Sequence, residues 1–171
     1  MQTNIPNVNE DPAGILSRVT CFALDMDGTI YLGERWIDGA KAFLERIEVS
    51  GRTYVFLTNN SSKNAAVYVE KLERMGLVVG EEKIVTSGQA TIYYLKRHFP
   101  GKKVFLLGNM LLREEFLQAG IVLEEDNPDV VVTAFDTSLD YKKMCRVCDF
   151  VRAGLPYLAT HPDYNCPTED G

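Results

Sequence analysis

The sequence predicts an α/β protein in which helices cover both faces of parallel β-sheets, giving three layers. Three observations lead to this prediction. Short apolar runs rich in Val, Leu, Phe and Tyr alternate along the chain with segments of helical periodicity. The connections between these segments are short, as expected for successive βα units whose strands pair in parallel. Polar or acidic residues directly follow several apolar runs, which would gather them at the carboxyl edge of such a sheet.

The composition is that of an ordinary globular protein. The chain has 171 residues, of which 46% are hydrophobic and 25% charged, enough for one domain or one domain plus part of another. It carries a net charge of −6 and has no cluster of Lys and Arg, so nucleic acid is not an expected partner. Residues 1–17 do not resemble a signal peptide and no apolar run approaches the length of a membrane span. We therefore predict no membrane association and a cytoplasmic location.

The run 21–31 is the part of the chain that most clearly predicts chemistry. An apolar strand ends at Asp25, and Asp27 follows two positions later, just before Gly28. Residues two apart on an extended segment point to the same side, so we expect both carboxylates in one cleft. Two such oxygen ligands with open positions suit Mg²⁺, and Gly28 permits a close backbone approach to a ligand. An ordinary Asp-Gly turn is the alternative.

A short flap and a helix are predicted between this run and the next strand. The flap covers residues 31–36, which include Gly33 and charged side chains. Asp38 is the expected N-cap of the helix and Gly51 its end. The apolar run 54–57 then predicts a second buried strand.

Polar residues follow this second strand at once. Thr58, Asn59 and Asn60 come directly after it, and Ser62 is the expected cap of the next helix. The end of this strand would thus present a hydroxyl, side-chain amides and the N–H groups of a helix terminus. Together these groups favour the binding of an anion. A plain capping motif is the alternative. Because this run follows the acid pair in order along the chain, we predict an anion site beside the two carboxylates.

The remaining chain continues the alternation and predicts a second α/β unit. We place the boundary after residue 81, so that residues 1–81 form the first unit and residues 82–171 the second. In order, the patterns predict a helix over 63–75, a strand at 84–85, a helix capped by Ser87, a strand over 104–107, a helix over 111–119, a strand over 130–132, a helix capped by Asp140 and a strand over 157–159.

Two cysteines within this second unit have the spacing of a redox or zinc pair. They are Cys145 and Cys148. However, Met144, Val147, Cys148 and Val151 also form an apolar helical stripe, and no partner pair exists elsewhere in the sequence. We predict that this stripe packs in the core and that the thiols are reduced.

The acidic run resembles the first signature of the haloacid dehalogenase-like hydrolases, Asp-x-Asp-Gly-Thr after a hydrophobic strand. The Leu-Thr-Asn-Asn run resembles their second signature. The resemblance implies that Asp25 is the nucleophile that accepts a phosphoryl group and that Asp27 is the general acid and base. It also implies that Thr58 binds the transferring group with Asn59 and Asn60 nearby, and that Asp25 and the backbone carbonyl of Asp27 hold Mg²⁺.

The segment 159–167 extends the resemblance to one subfamily. Ala-Thr-His-Pro-Asp, followed by Asn-Cys-Pro, is similar to the cap module of the branch that contains NagD, 4-nitrophenylphosphatase and phosphoglycolate phosphatase. This implies a Rossmann-like core in the amino-terminal half with an inserted α/β cap, and makes His161, Asp163 and the segment to Cys166 candidates for substrate selection. A solvated surface turn is the alternative. Relatives with such caps often form dimers through them, so the resemblance also implies a homodimer that pairs through the cap.

The resemblance implies a Mg²⁺-dependent phosphatase that hydrolyses a small phosphomonoester through an aspartyl-phosphate. Sugar phosphates, phosphoglycolate, pyridoxal phosphate and nucleotides all stay open as substrates. The third signature, which supplies a Lys, and the fourth, which supplies acidic metal ligands, have no match in these residues. We therefore expect this portion alone to be a poor catalyst. The alternatives are a catalytically impaired phosphate-binding module and a receiver-like phospho-acceptor domain.

Overall fold

A computed structural model of the chain describes residues 12–163, which form two α/β units, each built on its own parallel sheet. The predicted α/β class with parallel sheets is confirmed. No helix within residues 12–163 combines the length and apolar character that a bilayer span requires. In chain order the elements are α1 (Pro12–Arg18), β1 (Cys21–Asp25), β2 (Tyr31–Leu32), β3 (Arg35–Trp36), α2 (Ala40–Val49), β4 (Thr53–Thr58), α3 (Ala65–Arg74), β5 (Ile84–Thr86), α4 (Ser87–His98), β6 (Lys103–Leu107), α5 (Met110–Gln118), β7 (Val122–Leu123), β8 (Val130–Thr133), α6 (Tyr141–Arg152) and β9 (Tyr157–Ala159).

The first sheet has the strand order β1-β4-β5, with all three strands parallel. One face of this sheet packs on α2 and α3, through a core that includes Leu44, Ile47, Tyr54, Phe56, Tyr68 and Leu72. The opposite face carries Ala23, Leu57 and Val85, and Leu57 is 40% exposed there. Within the described residues β1 and β5 are the two edge strands of this sheet.

The predicted flap at residues 31–36 is a two-stranded hairpin of β2 and β3 that packs against α3. Tyr31 is fully buried in the core. The Trp36 indole donates a hydrogen bond to the Met75 carbonyl (2.9 Å), as does the Lys41 ammonium (3.0 Å). Tyr31, Trp36 and Lys41 therefore hold the hairpin in place. The prediction of a flap rested on Gly33 and the charged residues and did not identify these side chains.

The second sheet has the order β7-β6-β8-β9, again fully parallel, and helices cover both of its faces. Alternate side chains of β6 and β8 point to opposite faces. Val104, Leu106, Val130 and Val132 pack toward α4 and α5, whereas Phe105, Leu107 and Val131 pack toward α6. These strands are buried on both faces, which explains why they read as uninterrupted apolar runs.

The sequence pattern located the helices better than their caps. Gly39 precedes α2 with φ 84° and no side-chain cap, so the prediction of Asp38 is wrong. Asn64, and not Ser62, caps α3 by accepting a hydrogen bond from the Val67 N–H (3.1 Å). The position of a cap depends on where the backbone turns out of the preceding loop, which apolar periodicity does not report. The predicted cap of α6, Asp140, is confirmed. Helix α1 and strand β7 were not predicted.

Helix α6 faces the sheet with a different side from the one that its pattern predicted. Val147 and Phe150 pack against the second sheet. Met144, Cys148 and Val151 are exposed, so their predicted core position is wrong. Several apolar residues lie on overlapping faces of this helix, and only the contact with β6 and β8 decides between them. No group of three or more potential metal ligands occurs among residues 12–163, and Cys166 lies outside that range.

The division after residue 81 stays a prediction. Strand β5 pairs with β4, and its Ile84 packs in the first core. Helix α4, whose N-cap is Thr86 and not the predicted Ser87, contributes Ile92 and Leu95 to the second core. The pairing and packing therefore favour a boundary between Thr86 and Ser87. Insertion of the second unit as a cap likewise stays a prediction.

A buried ion pair in the second unit predicts a pH-dependent stability. The Asp136 carboxylate is fully buried and accepts hydrogen bonds from Lys143 Nζ (2.7 Å), Ser138 N (2.8 Å) and Ser138 Oγ (2.7 Å). Desolvation raises the pKa of Asp136, but these hydrogen bonds outweigh it and hold the pKa below its usual value. The stabilisation is therefore complete above the ordinary Asp pKa of about 4 and is lost as the pH falls through the lower folded value.

Asp136→Asn is accordingly expected to lower the free energy of unfolding at pH 7 by about 2 kcal/mol. The difference from the wild type should shrink below about pH 4, where Asp136 becomes protonated. Urea unfolding at a series of pH values measures this. Asp149→Asn, at an exposed position of α6, is the control and should change the stability by less than about 0.5 kcal/mol. A difference that is the same at pH 7 and pH 3 would contradict the assignment.

Candidate active site

Two polar residues leave the first sheet side by side at its carboxyl edge. Strand β1 ends at Asp25 and β4 ends at Thr58, and the parallel register places Asp25 opposite Leu57. Asp27 lies two residues beyond the end of β1 and pairs with Tyr31 in a short β-bridge. The three residues with predicted chemistry in the two signatures therefore come from neighbouring strand ends.

A tight turn between Asp27 and Tyr31 presents the acidic run. Gly28 N donates a hydrogen bond to the Tyr31 carbonyl (2.8 Å), and Ile30 N donates to the Met26 carbonyl (2.9 Å). Gly28 has φ 82°, which side-chain-bearing residues rarely adopt, so glycine is required here by the turn itself. Its predicted role in approaching a ligand stays a prediction.

The Asp27 carboxylate interacts electrostatically with Lys71, Lys63 and Asp25. Its Oδ1 is 3.9 Å from Lys71 Nζ, and its side chain is 38% exposed. Burial raises the pKa of Asp27, the positive charges of Lys71 and Lys63 partly lower it, and the charge of Asp25 raises it further. A carboxyl group with a raised pKa keeps its proton closer to neutral pH, as a general acid must.

Lys71 is a site residue that the sequence analysis missed. It lies on α3, is only 9% exposed, and places its Nζ 3.7 Å from the centroid of the Tyr31 ring. Burial lowers the pKa of Lys71, and the charge of Asp27 partly offsets this. The signal that could have revealed it is a lysine within the buried stripe of a helix, beside Tyr68 and Leu72.

Thr58 and the loop that follows it are ordered by their own side chains. Thr58 is buried, and its Oγ1 lies 3.3 Å from the Tyr68 hydroxyl and accepts a hydrogen bond from Asn60 N (3.2 Å). The Asn60 Oδ1 accepts hydrogen bonds from Ser62 N (2.9 Å) and Ser62 Oγ (2.7 Å). The Asn60 side chain therefore shapes this loop, whereas its predicted contact with a ligand stays a prediction.

The same loop meets the carboxyl ends of strands from the second sheet. Asn109, just after β6, donates a side-chain hydrogen bond to the Ser62 carbonyl (2.7 Å). Phe135 N, after β8, donates to Ser61 Oγ (2.9 Å), and Thr160 Oγ1, after β9, lies 2.9 Å from the same hydroxyl. Both sheets therefore direct the loops after their strands toward one region.

His161 and Asp163, predicted to select the substrate, are part of this region. The Asn59 side-chain amide donates to the Asp163 carboxylate, and His161 Nδ1 lies 3.2 Å from Thr160 Oγ1. The Ser87 hydroxyl also donates to the Asn59 carbonyl (2.8 Å). Although about a hundred residues separate them in sequence, Asn59 and Asp163 are in contact. Their roles toward a substrate stay predictions.

The donors that could hold a metal at this edge are the oxygens of Asp25 and Asp27. Mg²⁺ is commonly bound through one or two carboxylates, with water and substrate phosphate oxygens completing its six ligands. Two aspartates at one strand end, with Asp25 exposed, fit this kind of site. The electrostatic effect of Asp25 on the pKa of Asp27 is the repulsion that a bound cation would relieve.

Comparison with known proteins identifies the family of this chain. The sequence model of the haloacid dehalogenase-like hydrolase family matches residues 22–122, which is more than half of the chain. The chain belongs to this family. The family predicted from the two signatures is therefore confirmed.

Relatives of this haloacid dehalogenase-like hydrolase include several phosphatases. The acid sugar phosphatase of Staphylococcus aureus (strain USA300) is 35% identical over 157 residues, which are 91% of this chain and 61% of the relative. A crystal structure of 4-nitrophenylphosphatase from Thermotoga maritima is 42% identical with a TM-score of 0.86, covering 92% of this chain and 60% of that one. A glycerol phosphate phosphatase from Mycobacterium tuberculosis, in complex with calcium, is 27% identical with a TM-score of 0.80, covering 92% and 47%. The chain thus spans about three fifths of the length of the first two.

Proposed function

We propose that this haloacid dehalogenase-like hydrolase is a Mg²⁺-dependent phosphatase that hydrolyses a small phosphomonoester through an aspartyl-phosphate on Asp25. The observation that carries the proposal is the pair of neighbouring strand ends, which presents Asp25 and Thr58 together with Asp27 just beyond. Three relatives whose names state a phosphatase activity support the same reaction.

In the first step an oxygen of Asp25 forms a bond to phosphorus, and the bond from phosphorus to the leaving oxygen breaks. Asp27 gives its proton to that oxygen, so that a neutral alcohol departs. The Thr58 hydroxyl donates a hydrogen bond to an oxygen of the transferring phosphoryl group. The exposed position of Asp25 leaves room for such an in-line attack.

In the second step Asp27, now a carboxylate, takes a proton from a water molecule. The water oxygen bonds to phosphorus and the bond to the Asp25 oxygen breaks, which releases inorganic phosphate and restores both aspartates. Mg²⁺ held by the Asp25 carboxylate and the backbone carbonyl of Asp27 would supply positive charge that offsets the repulsion between a carboxylate and a phosphate dianion.

The second unit and the names of the relatives both support a sugar or polyol phosphate as the substrate class. The loops after β6, β8 and β9 border the Thr58 loop with hydroxyl, amide, imidazole and carboxylate groups. Such groups suit the hydroxyls of a sugar or polyol phosphate. The names of the relatives, which include an acid sugar phosphatase and a glycerol phosphate phosphatase, support this class.

A phosphate-release screen tests the proposal. The chain is assayed by itself and as a chimera with the remaining region of the Thermotoga maritima 4-nitrophenylphosphatase, over a panel of sugar, polyol, glycolate, nucleotide and pyridoxal phosphates. We expect the chimera to release phosphate, and we expect Asp25→Asn to abolish that release. Phosphate binding without release would indicate a binding module, and a long-lived aspartyl-phosphate without turnover a receiver-like domain; either would overturn the proposal.

Removal of the metal gives a separate prediction. EDTA is expected to lower phosphate release by at least about 100-fold, because a metal at such a site supplies several kcal/mol of charge stabilisation. Addition of excess Mg²⁺ should restore the rate of phosphate release. A parallel sample that receives excess Zn²⁺ serves as the comparison. Activity that survives exhaustive chelation would contradict the dependence on a metal.

A further inference from the structure

We propose that Lys71 is a positioning residue, which holds the Asp27 carboxyl group in the orientation from which it protonates the leaving oxygen. This inference rests on the proposed function, since it assigns Asp27 the part of general acid. Lys71 belongs to neither of the two signatures and lies on a helix, away from the strand ends that carry them.

The contacts of Lys71 span the turn that carries Asp27. Its Nζ lies 3.9 Å from Asp27 Oδ1 and 3.7 Å from the centroid of the Tyr31 ring. Asp27 and Tyr31 are the two ends of the turn, joined by a β-bridge and by the hydrogen bond from Gly28 N to the Tyr31 carbonyl. One ammonium group therefore contacts both residues that close the turn.

The position of Lys71 is itself fixed by burial. Its side chain is only 11% exposed, and a buried ammonium requires a counter-charge or another favourable electrostatic partner. The Asp27 carboxylate and the electron-rich face of Tyr31 supply these. One helical turn earlier on the same side of α3, Tyr68 places its hydroxyl 3.3 Å from Thr58 Oγ1. Helix α3 thus contacts both Asp27, the proposed general acid, and the Thr58 hydroxyl, which is proposed to bind the phosphoryl group.

The consequence for catalysis depends on the leaving group. A general acid works only within hydrogen-bond reach of the oxygen that it protonates, and a carboxylate that is 38% exposed has room for other rotamers. Loss of Lys71 should therefore slow the release of an alkoxide, which needs the proton. Release of 4-nitrophenolate, which is stable without a proton, should be affected much less.

The test compares kcat/KM, which reports the first phosphoryl transfer, for glycerol phosphate and 4-nitrophenyl phosphate. The active chimera carries Lys71→Met, Lys71→Arg or Asp27→Asn. We expect Lys71→Met to lower kcat/KM for glycerol phosphate by about 10- to 100-fold and for 4-nitrophenyl phosphate by less than about 5-fold. Asp27→Asn should show the same selectivity with a larger loss, and Lys71→Arg, which keeps the charge, should recover most of the loss.

Two further variants complete the design. Lys102→Met removes a lysine from an exposed ion pair with Asp129 at the start of β6 and should leave both values unchanged. Lys71→Gln replaces Lys71→Met if urea unfolding shows that the methionine variant does not fold. Equal losses for the two substrates would mean that Lys71 acts only on the fold, which overturns the inference alone. No turnover by the wild-type chimera would overturn the proposed function and the inference with it.

Discussion

Asp25→Asn is expected to lower phosphate release by at least about 10⁴-fold, because a neutral amide cannot act as the attacking nucleophile. The substitution keeps the shape of the side chain at an exposed position at the end of β1, so the fold should be unchanged. The measurement is kcat/KM of the chimera for its best substrate. Mass spectrometry of acid-quenched protein adds a second readout, a phosphoryl group on the wild type that is absent from the variant.

Asp38→Asn is the matched control for this substitution. Asp38 is an exposed aspartate just before α2 and belongs to neither signature. It should retain the wild-type rate within about 2-fold, as expected for a surface substitution away from the site. An Asp25→Asn variant with more than about one hundredth of the wild-type activity would exclude Asp25 as the nucleophile.

Phe116→Ala is expected to cost about 3–5 kcal/mol of unfolding free energy, the largest loss of stability that we predict. Phe116 on α5 is completely buried in the core between the second sheet and its helices α4 and α5. Truncation would remove most of its apolar contacts and leave a cavity between well-packed elements, which can relax only in part. Urea unfolding followed by circular dichroism measures the loss.

The neighbouring residue provides the control. Leu117 lies on the same helix and is half-exposed, so Leu117→Ala removes a similar side chain from a position that solvent already reaches. Its cost should stay below about 1 kcal/mol. Similar losses for both variants would show that α5 does not pack on the second sheet through Phe116.

The polar carboxyl edge of the first sheet was largely predictable because its signals are local. Both strands, β1 and β4, appear in the sequence as apolar runs, and the residue at which such a run stops lies at the carboxyl edge of a parallel sheet. Asp25 and Thr58 could therefore be placed from the ends of two such runs. Gly28 could be placed for a similar reason, since a tight turn demands a φ that glycine adopts freely.

Features that depend on how one element packs against another were not predictable from the sequence in the same way. The side of α6 that contacts the sheet differs from the predicted one, because several apolar faces overlap on that helix. The caps of α2 and α3 depend on the exact path of the loops before them. Lys71 appeared as an ordinary helical lysine, and only the packing of α3 on the hairpin brings it to Asp27.

By itself, the sequence determined the alternation of strands and helices, the family, and the identity of the polar residues at the strand ends. These follow from short-range constraints on backbone and burial. The tertiary structure decided which distant groups meet, such as Lys71 with Asp27 and Asp163 with Asn59, and which helix faces are covered. Such contacts join residues far apart in the chain, and their energies depend on three-dimensional packing that no local pattern encodes.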